Sequence, residues 1–232
     1  MKPKLRLEGK VAIVTGAGSR GPGIGNGRAA AILFAREGAK VLSVDQSADA
    51  AEDTVGIIKQ EGGEAEAFIA DVTRASDCAA LVERAVSRWG RLDILDNNVG
   101  IEGPGSVVAV AEEAWDQVMR VNVKSMMLTG KYAVPVMAAG GGGSIINISS
   151  ISALRPRGLT PYSASKGAVI ALTRAMAIDH AKDGIRVNCI APGPVYTPMV
   201  SSAGMSAEVR ETRKRASPCQ QPAIARTRAP DC

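Results

Sequence analysis

A layered α/β fold with parallel strands is what this sequence predicts, and three features carry the prediction. Short apolar runs rich in β-branched residues, Val11-Ala12-Ile13-Val14 and Val41-Leu42-Ser43-Val44 among them, recur along the chain, as strands buried on both faces do. Between them lie stretches with apolar residues at helical spacing, so strand and helix alternate. The first strand stops at a glycine cluster between Gly16 and Gly25, and later strands stop at asparagine or serine. Polar groups thus gather at the carboxyl ends, where open parallel sheets bind ligands.

Composition excludes several classes of function. The 232 residues can bury one sizeable core, and 46% hydrophobic with 22% charged residues describes an ordinary globular chain. No run of about 18 apolar residues occurs, and Met1-Lys2-Pro3-Lys4 leads into Arg6 and Glu8 without an apolar signal core, so a cytoplasmic location is expected. Cys78, Cys189, Cys219 and Cys232 are scattered, without paired spacing or a histidine cluster, which predicts reduced thiols and no metal. His180 is the only histidine and falls late in a predicted helix, where it reads as a helix-end residue rather than the base of a Ser-His-Asp hydrolase. The net charge is +5, of which +4 lies between Thr212 and Cys232. The other 211 residues carry about +1 and offer no basic face, so neither nucleic acid nor membrane is an expected partner.

In chain order, Lys10 to Thr15 is the first strand, and Gly16-Ala17-Gly18-Ser19-Arg20-Gly21-Pro22-Gly23-Ile24-Gly25 opens an Ala-rich helix that runs to Glu37 and ends at Gly38. Such a loop lets backbone N–H groups and a helix N-terminus approach a pyrophosphate. The strand Val41 to Asp45 ends in an acid about twenty residues past Gly25, where a carboxylate accepts hydrogen bonds from both ribose hydroxyls and repels a 2′-phosphate. This favours NAD over NADP, while Arg20 argues the other way, since a guanidinium in the loop can meet a phosphate. A helix over Ala48 to Gln60 and a strand over Ala65 to Ala70 follow, closed by Asp71-Val72. Asp71 suits either an adenine amino group or the cap of the next helix.

That helix, Asp77 to Trp89, leads to a strand over Leu92 to Asp96 and the polar turn Asn97-Asn98-Val99-Gly100. One long helix is expected from Glu112 to Met137, with Asn122 a polar residue among apolar ones, either bonded locally or facing solvent. Ser144 to Ser150 forms a fifth strand ending in hydroxyls, Pro161 to Ala181 a helix, Arg186 to Ile190 a sixth strand, and Pro192-Gly193-Pro194-Val195-Tyr196-Thr197-Pro198-Met199 closes the readable fold. Within the helix from Pro161, Tyr162 and Lys166 sit at i and i+4 and share a face. A cation beside a phenol stabilises the phenolate, so this pairing predicts a tyrosine acidified by its lysine neighbour and able to exchange a proton with a substrate oxygen.

With these motifs in this order, residues 8 to 210 resemble the short-chain dehydrogenases/reductases. The resemblance implies a doubly wound, three-layered Rossmann domain over residues 1–211, a nicotinamide cofactor, and an oxidoreductase that moves a hydride between NAD(H) and a secondary alcohol or ketone of the 3-oxoacyl or polyol kind. It implies that Tyr162 is the acid/base, that Lys166 tunes it and holds the nicotinamide ribose, that Ser150 binds the substrate oxygen with Ser149 as the alternative, and that Asn122 supports a proton relay. The cofactor contacts it implies are Gly16, Ser19, Arg20, Gly23, Ile24 and Gly25 in the first loop, Asp45, Asp71, Val72, Asn98 and Gly100 at later strand ends, Tyr162 and Lys166, and Pro192, Gly193, Val195 and Thr197 beyond the sixth strand.

Two departures stand out. Six residues, Ala17 to Pro22, separate Gly16 from Gly23, where the family's pattern has three. Residues 212–232 also lack strand alternation and apolar periodicity, carry three prolines, and are expected to be a disordered tail in place of the family's seventh strand. Six strands are therefore expected. The family implies a homodimer or homotetramer, whereas loss of that assembly surface suggests the alternative of a catalytically impaired nucleotide-binding protein.

Overall fold

The computed structural model describes residues 5–21, 23–156, 158–201, 204, 206–215 and 223–224. Six strands form one parallel sheet: β1 (Val11–Thr15), β2 (Lys40–Asp45), β3 (Ala65–Ile69), β4 (Ile94–Asn97), β5 (Gly143–Ile148) and β6 (Ile185–Ile190), in the spatial order β3-β2-β1-β4-β5-β6. This is the doubly wound order, which reverses direction between β1 and β4 and opens a crevice there. Register is continuous across the crevice, with Ile13 beside Leu42 on one side and Leu95 on the other.

Helices cover both faces. Helices α1 (Asn26–Arg36) and α2 (Ala48–Gln60) close over Ala12, Val14 and Val41, burying Ile32, Val55 and Ile58 against them. The opposite face, with Ile13, Leu42, Leu95 and Ile145, is packed by α3 (Ala75–Trp89) through Leu81 and Val82 and by the later long helices through Leu128, Met137 and Met176. Alternate residues of each strand thus serve opposite layers, which is why these runs are apolar without a break. Among the described residues no helix lies over the α1/α2 side of β6, where Arg186, Asn188 and Ile190 are exposed. No helix among them is long and apolar enough to cross a membrane.

The expected single helix from Glu112 to Met137 is interrupted. Helix α4 (Glu112–Met119) passes into a wide five-residue π turn over Arg120–Lys124 before α5 (Ser125–Ala139) resumes. Asn122 lies inside that turn, fully buried, and its partners are 21 and 43 residues away. The local or solvent-facing alternatives for this residue are therefore not what the fold adopts, because a widened turn re-aims a side chain that a regular helix would direct elsewhere. Helix α6 (Thr160–Asp179) then carries Tyr162 and Lys166, and His180 follows its last turn with Nδ1 3.4 Å from Asp183 Oδ2, as its helix-end reading expects.

Beyond β6 the chain forms a two-residue strand β7 (Val195–Tyr196), a short helix α7 (Pro198–Ser201) and α8 (Ala207–Arg215), and a second short strand β8 (Ala223–Ile224) pairs with β7 in parallel. The expectation of a disordered tail over 212–232 falls largely outside the described residues. Of those described, 212–215 complete α8 and 223–224 form β8.

One core residue breaks the apolar pattern. Asp96 on β4 lies between Val14 and Ile146 in the sheet, 3% exposed, and its Oδ1 has no hydrogen-bond partner. Burial alone pushes its carboxyl up to about 7 from an ordinary value of 3.8. A folded-state value raised this far means the unfolded chain releases its proton first, so stability falls as pH climbs from about 4 to about 7 and is level above that. At about 1.36 kcal/mol for each pH unit of that window, the loss comes to about 4 kcal/mol. Denaturant unfolding is expected to give a higher midpoint at pH 5 than at pH 8, and Asp96→Val is expected to remove most of that difference while raising stability at pH 8.

Candidate active site

The turn after β1 is shaped by steric limits. Gly16 has φ +64°, a left-handed conformation that costs glycine nothing. Gly18 donates its N–H to Asp45 Oδ2 at 3.0 Å, and a Cβ there would lie 2.6 Å from Ala50 Cβ and 2.7 Å from Asp45 Oδ2. A Cβ on Gly27, in the first turn of α1, would overlap the Gly16 carbonyl oxygen and approach Asn98 Nδ2 at 2.5 Å. Only glycine lets the helix come this close to the loop and to the end of β4. The N-cap of α1, Gly25, offers no side-chain acceptor, and the first turn carries no acid. Its N–H groups therefore remain available to an anion.

A cleft of about 1460 Å³ extends from this turn along the carboxyl ends of the strands. Small-molecule pockets are typically roughly 300–1,000 Å³, so this one has room for a dinucleotide and a second molecule. Gly16, Ser19, Arg20 and Gly25 line its floor, Asp45, Asp71 and Val72 one end, and Asn98 and Gly100 its middle. Ser150, Tyr162, Lys166, Pro192, Gly193, Val195 and Thr197 line the other end. Gly23 and Ile24 are not among the lining residues. The enlarged loop carries Gly23 outward, where it is exposed and nearest to Pro198 Cγ.

Asp45 accepts from Gly18 N–H through Oδ2 and from Ser47 N–H through Oδ1, which orients its carboxylate at the cleft wall. Arg20 lies away from it, donating through Nη2 to the Gly100 carbonyl at 3.2 Å. Asp71 accepts from the N–H and the hydroxyl of Thr73 in a local turn and borders the cleft; the N-cap of α3 is Arg74, without a side-chain cap bond, so the capping alternative is not what the fold adopts.

At the other end the two serines divide. Ser149 is 2% exposed and donates to the Lys166 carbonyl at 2.7 Å, so its hydroxyl is committed to holding α6. Ser150 faces the cleft; its oxygen accepts from Ser152 N–H at 3.1 Å, and its hydroxyl is near enough to act on the Tyr162 phenol. Burial is the largest influence on that phenol and raises its pKa, the Ser150 hydroxyl opposes the rise, and the Glu102 carboxylate adds to it. The expected acidification by Lys166 is absent from this balance. Lys166 Nζ donates to the Ile148 carbonyl at 2.7 Å and stands 5.7 Å from the Tyr162 ring centroid, so its charge is directed to the end of β5. Burial also lowers the lysine to about 8, with Cys189 opposing. The shared helix face is as the spacing predicts, but desolvation outweighs attraction.

Behind these groups Asn122 accepts from Ile101 N–H at 2.8 Å, donates back to the Ile101 carbonyl at 3.0 Å, and donates to Ser165 Oγ at 2.9 Å. Ser165 in turn donates to the Tyr162 carbonyl at 2.7 Å. Sequence reasoning passed over Ser165, Gly18, Gly27 and Glu102. The serine lies inside Tyr162-Ser163-Ala164-Ser165-Lys166, one residue before the lysine, and the other three carry no local mark of their contacts.

Four similarities, to one family model and three proteins, bear on this arrangement. A family model described as short chain dehydrogenase matches residues 10–207. An uncharacterized oxidoreductase of Thermotoga maritima is 43% identical over 208 residues, covering 89% of this chain and 78% of that protein, and a 3-oxoacyl-[acyl-carrier-protein] reductase from the same organism is 38% identical over 209 residues, 90% and 82% of the two chains. A solved 7α-hydroxysteroid dehydrogenase, complexed with NADH and 7-oxo glycochenodeoxycholic acid, superposes with a TM-score of 0.89 at 36% identity, covering 96% of this chain and 85% of its own.

Gly27→Ala is expected to lower thermal stability, overpacking of this kind costing about 1–3 kcal/mol. Gly56→Ala, on a helical site with nothing within 4 Å of the added carbon, is expected to raise it by up to about 1 kcal/mol. Melting curves of the two variants beside the parent decide the matter.

Proposed function

This chain belongs to the short-chain dehydrogenases, a family of oxidoreductases, and on that premise we propose that it interconverts a secondary alcohol and a ketone with NAD as its cofactor. One observation carries the proposal: Ser150, Tyr162 and Lys166 meet at one end of a cleft whose other end is a glycine turn with Asp45 at its wall. The nicotinamide dinucleotide, when bound, supplies the acceptor or donor of the hydride. The residues fit such a group: the uncapped start of α1 suits its phosphates, and Gly18 leaves no more than a hydrogen atom between loop and Asp45.

The protein's own part is to bind, orient and move one proton. Ser150 donates a hydrogen bond to the carbonyl or alkoxide oxygen, and Tyr162 passes the proton to or from that same oxygen. Lys166, held by the Ile148 carbonyl, presents its remaining ammonium hydrogens to the cleft, where a ribose hydroxyl is the fitting acceptor. Asn122 fixes Ile101 and, through Ser165, the first turn of α6, which keeps the phenol in register with the end of β4. Substrates of the 3-oxoacyl or polyol kind are both compatible with a cleft of this size. The solved hydroxysteroid dehydrogenase binds NADH beside an oxo compound, which supports the reading by likeness.

NAD is favoured over NADP because Asp45 stands at the adenosine end, while Arg20, the one cation of the loop, reaches away from it to Gly100 in the middle of the cleft. Tyr162→Phe is expected to lower kcat by about 10²–10⁴-fold with the dinucleotide still bound. Unchanged turnover would remove the assignment, and binding without turnover in the parent would favour the catalytically impaired alternative. Asp45→Ala is expected to raise the ratio of NADP to NAD turnover at least about tenfold, since it removes a like charge from the 2′ position. Initial rates with each cofactor measure this directly.

A further inference from the structure

The segment after β4 holds a carboxylate at the substrate end of the cleft. Glu102 is exposed, lines the cleft, and has its neighbours fixed on both sides. Ile101 is clamped at its N–H and carbonyl by Asn122, at 2.8 and 3.0 Å. Gly103 is buried against the start of α6, where an added Cβ would stand 3.1 Å from Pro161 Cβ and 3.3 Å from Tyr162 N. Gly105 completes the attachment, donating to the Gly158 carbonyl at 3.1 Å and accepting from Thr160 N–H at 2.9 Å. The backbone of Glu102 is thus pinned beside the first turn of the helix that carries Tyr162, and its charge is felt at the phenol.

This carboxylate is also free to act. Among the described residues it forms no ion pair or hydrogen bond, whereas Asp45 and Asp71 in the same cleft are engaged by the loop and by Thr73. Glu208, the remaining acid of the lining, stands on α8 and not beside the phenol. A carboxylate accepts hydrogen bonds and does not donate them, so its partner on a substrate has to be a donor.

We propose that Glu102 determines substrate choice by accepting a hydrogen bond from a hydroxyl on the carbon next to the reacting one, so that the preferred substrate is a vicinal diol or its hydroxyketone. This rests on the alcohol/ketone reading above and narrows it to the polyol side. A simple alcohol forgoes the bond, and a 2-hydroxy acid brings a second negative charge against Glu102.

The test uses the full chain with two probes, trans-1,2-cyclohexanediol and cyclohexanol. Affinities are measured by calorimetry with and without NAD, and kcat/KM with NAD. The parent is expected to prefer the diol by about tenfold or more in both measures, the worth of one hydrogen bond to a charged group. Glu102→Leu is expected to bring the ratio near one, since the loss of its charge at the Tyr162 phenol acts on both alcohols alike and cancels in the ratio, and Glu102→Gln, which keeps an acceptor and the side-chain shape, to retain part of the preference. Equal affinities in the parent, or a diol preference that survives in both variants, would overturn the proposal. Should neither alcohol be oxidised, the calorimetric ratios still decide the role of Glu102, and the failure then belongs to the hydride-transfer reading alone.

Discussion

A row of buried amide and hydroxyl groups under the cleft ties the helices α5 and α6 to the strands β4 and β5. Thr129 on α5 donates to Asn97 Oδ1 at 2.7 Å, Asn97 donates to Asn147 Oδ1 at 2.9 Å, and Asn147 donates to Thr173 on α6 at 3.0 Å. Asn97 and Asn147 face one another across β4 and β5, and both are essentially without exposure. Each link satisfies a polar group that would otherwise cost about 1–3 kcal/mol to bury, so the helix carrying Tyr162 and Lys166 has one favoured position on the sheet. Ser149 adds a further tie from the end of β5 to the Lys166 carbonyl.

That placement explains why the reactive end is governed by burial. Tyr162 and Lys166 are drawn into the layer between α6 and the sheet, where both charged forms lose water. The phenol is raised and the ammonium lowered, the two directions desolvation predicts for an acid and a base. Attraction between them would have shifted both the other way. The lysine finds its partner in a backbone carbonyl at the end of β5, leaving the serine hydroxyl as the group that opposes the rise at the phenol. At the far end of the cleft, Asp45 keeps two backbone donors and stays at the wall. The two ends of one crevice thus differ: one withdraws its ionisable groups from water, and the other holds a carboxylate against two backbone N–H groups.

Asp96 shows the cost of departing from local rules in such a core. It occupies a strand position whose neighbours in register are Val14 and Ile146, and nothing answers its Oδ1. Its backbone carbonyl still accepts from Thr15 at 3.2 Å, so the strand keeps its place next to the glycine turn. The side chain pays in stability while the main chain serves the site. Asp93, three residues earlier, is the opposite case: it accepts from Val11 N–H and is met by Lys10 and Arg91, which ties the start of β1 to the strand beside it.

The order of strands and helices was legible because apolar period and glycine punctuation are local properties. The helix over Ala48–Gln60 is placed residue for residue, and the other long elements fall within a few residues of expectation, except the helix expected over Glu112 to Met137, which the π turn divides. The Tyr162/Lys166 face was legible for the same reason, since i and i+4 meet on any helix. The π turn at Asn122, the division of labour between Ser149 and Ser150, the direction of Arg20 and the exposed position of Gly23 were decided by contacts between segments far apart in the chain, from Ser149 and Lys166 to Gly23 and Pro198. So was the balance of charge at Tyr162, because desolvation depends on what the fold packs around a group and not on which residue stands four places away.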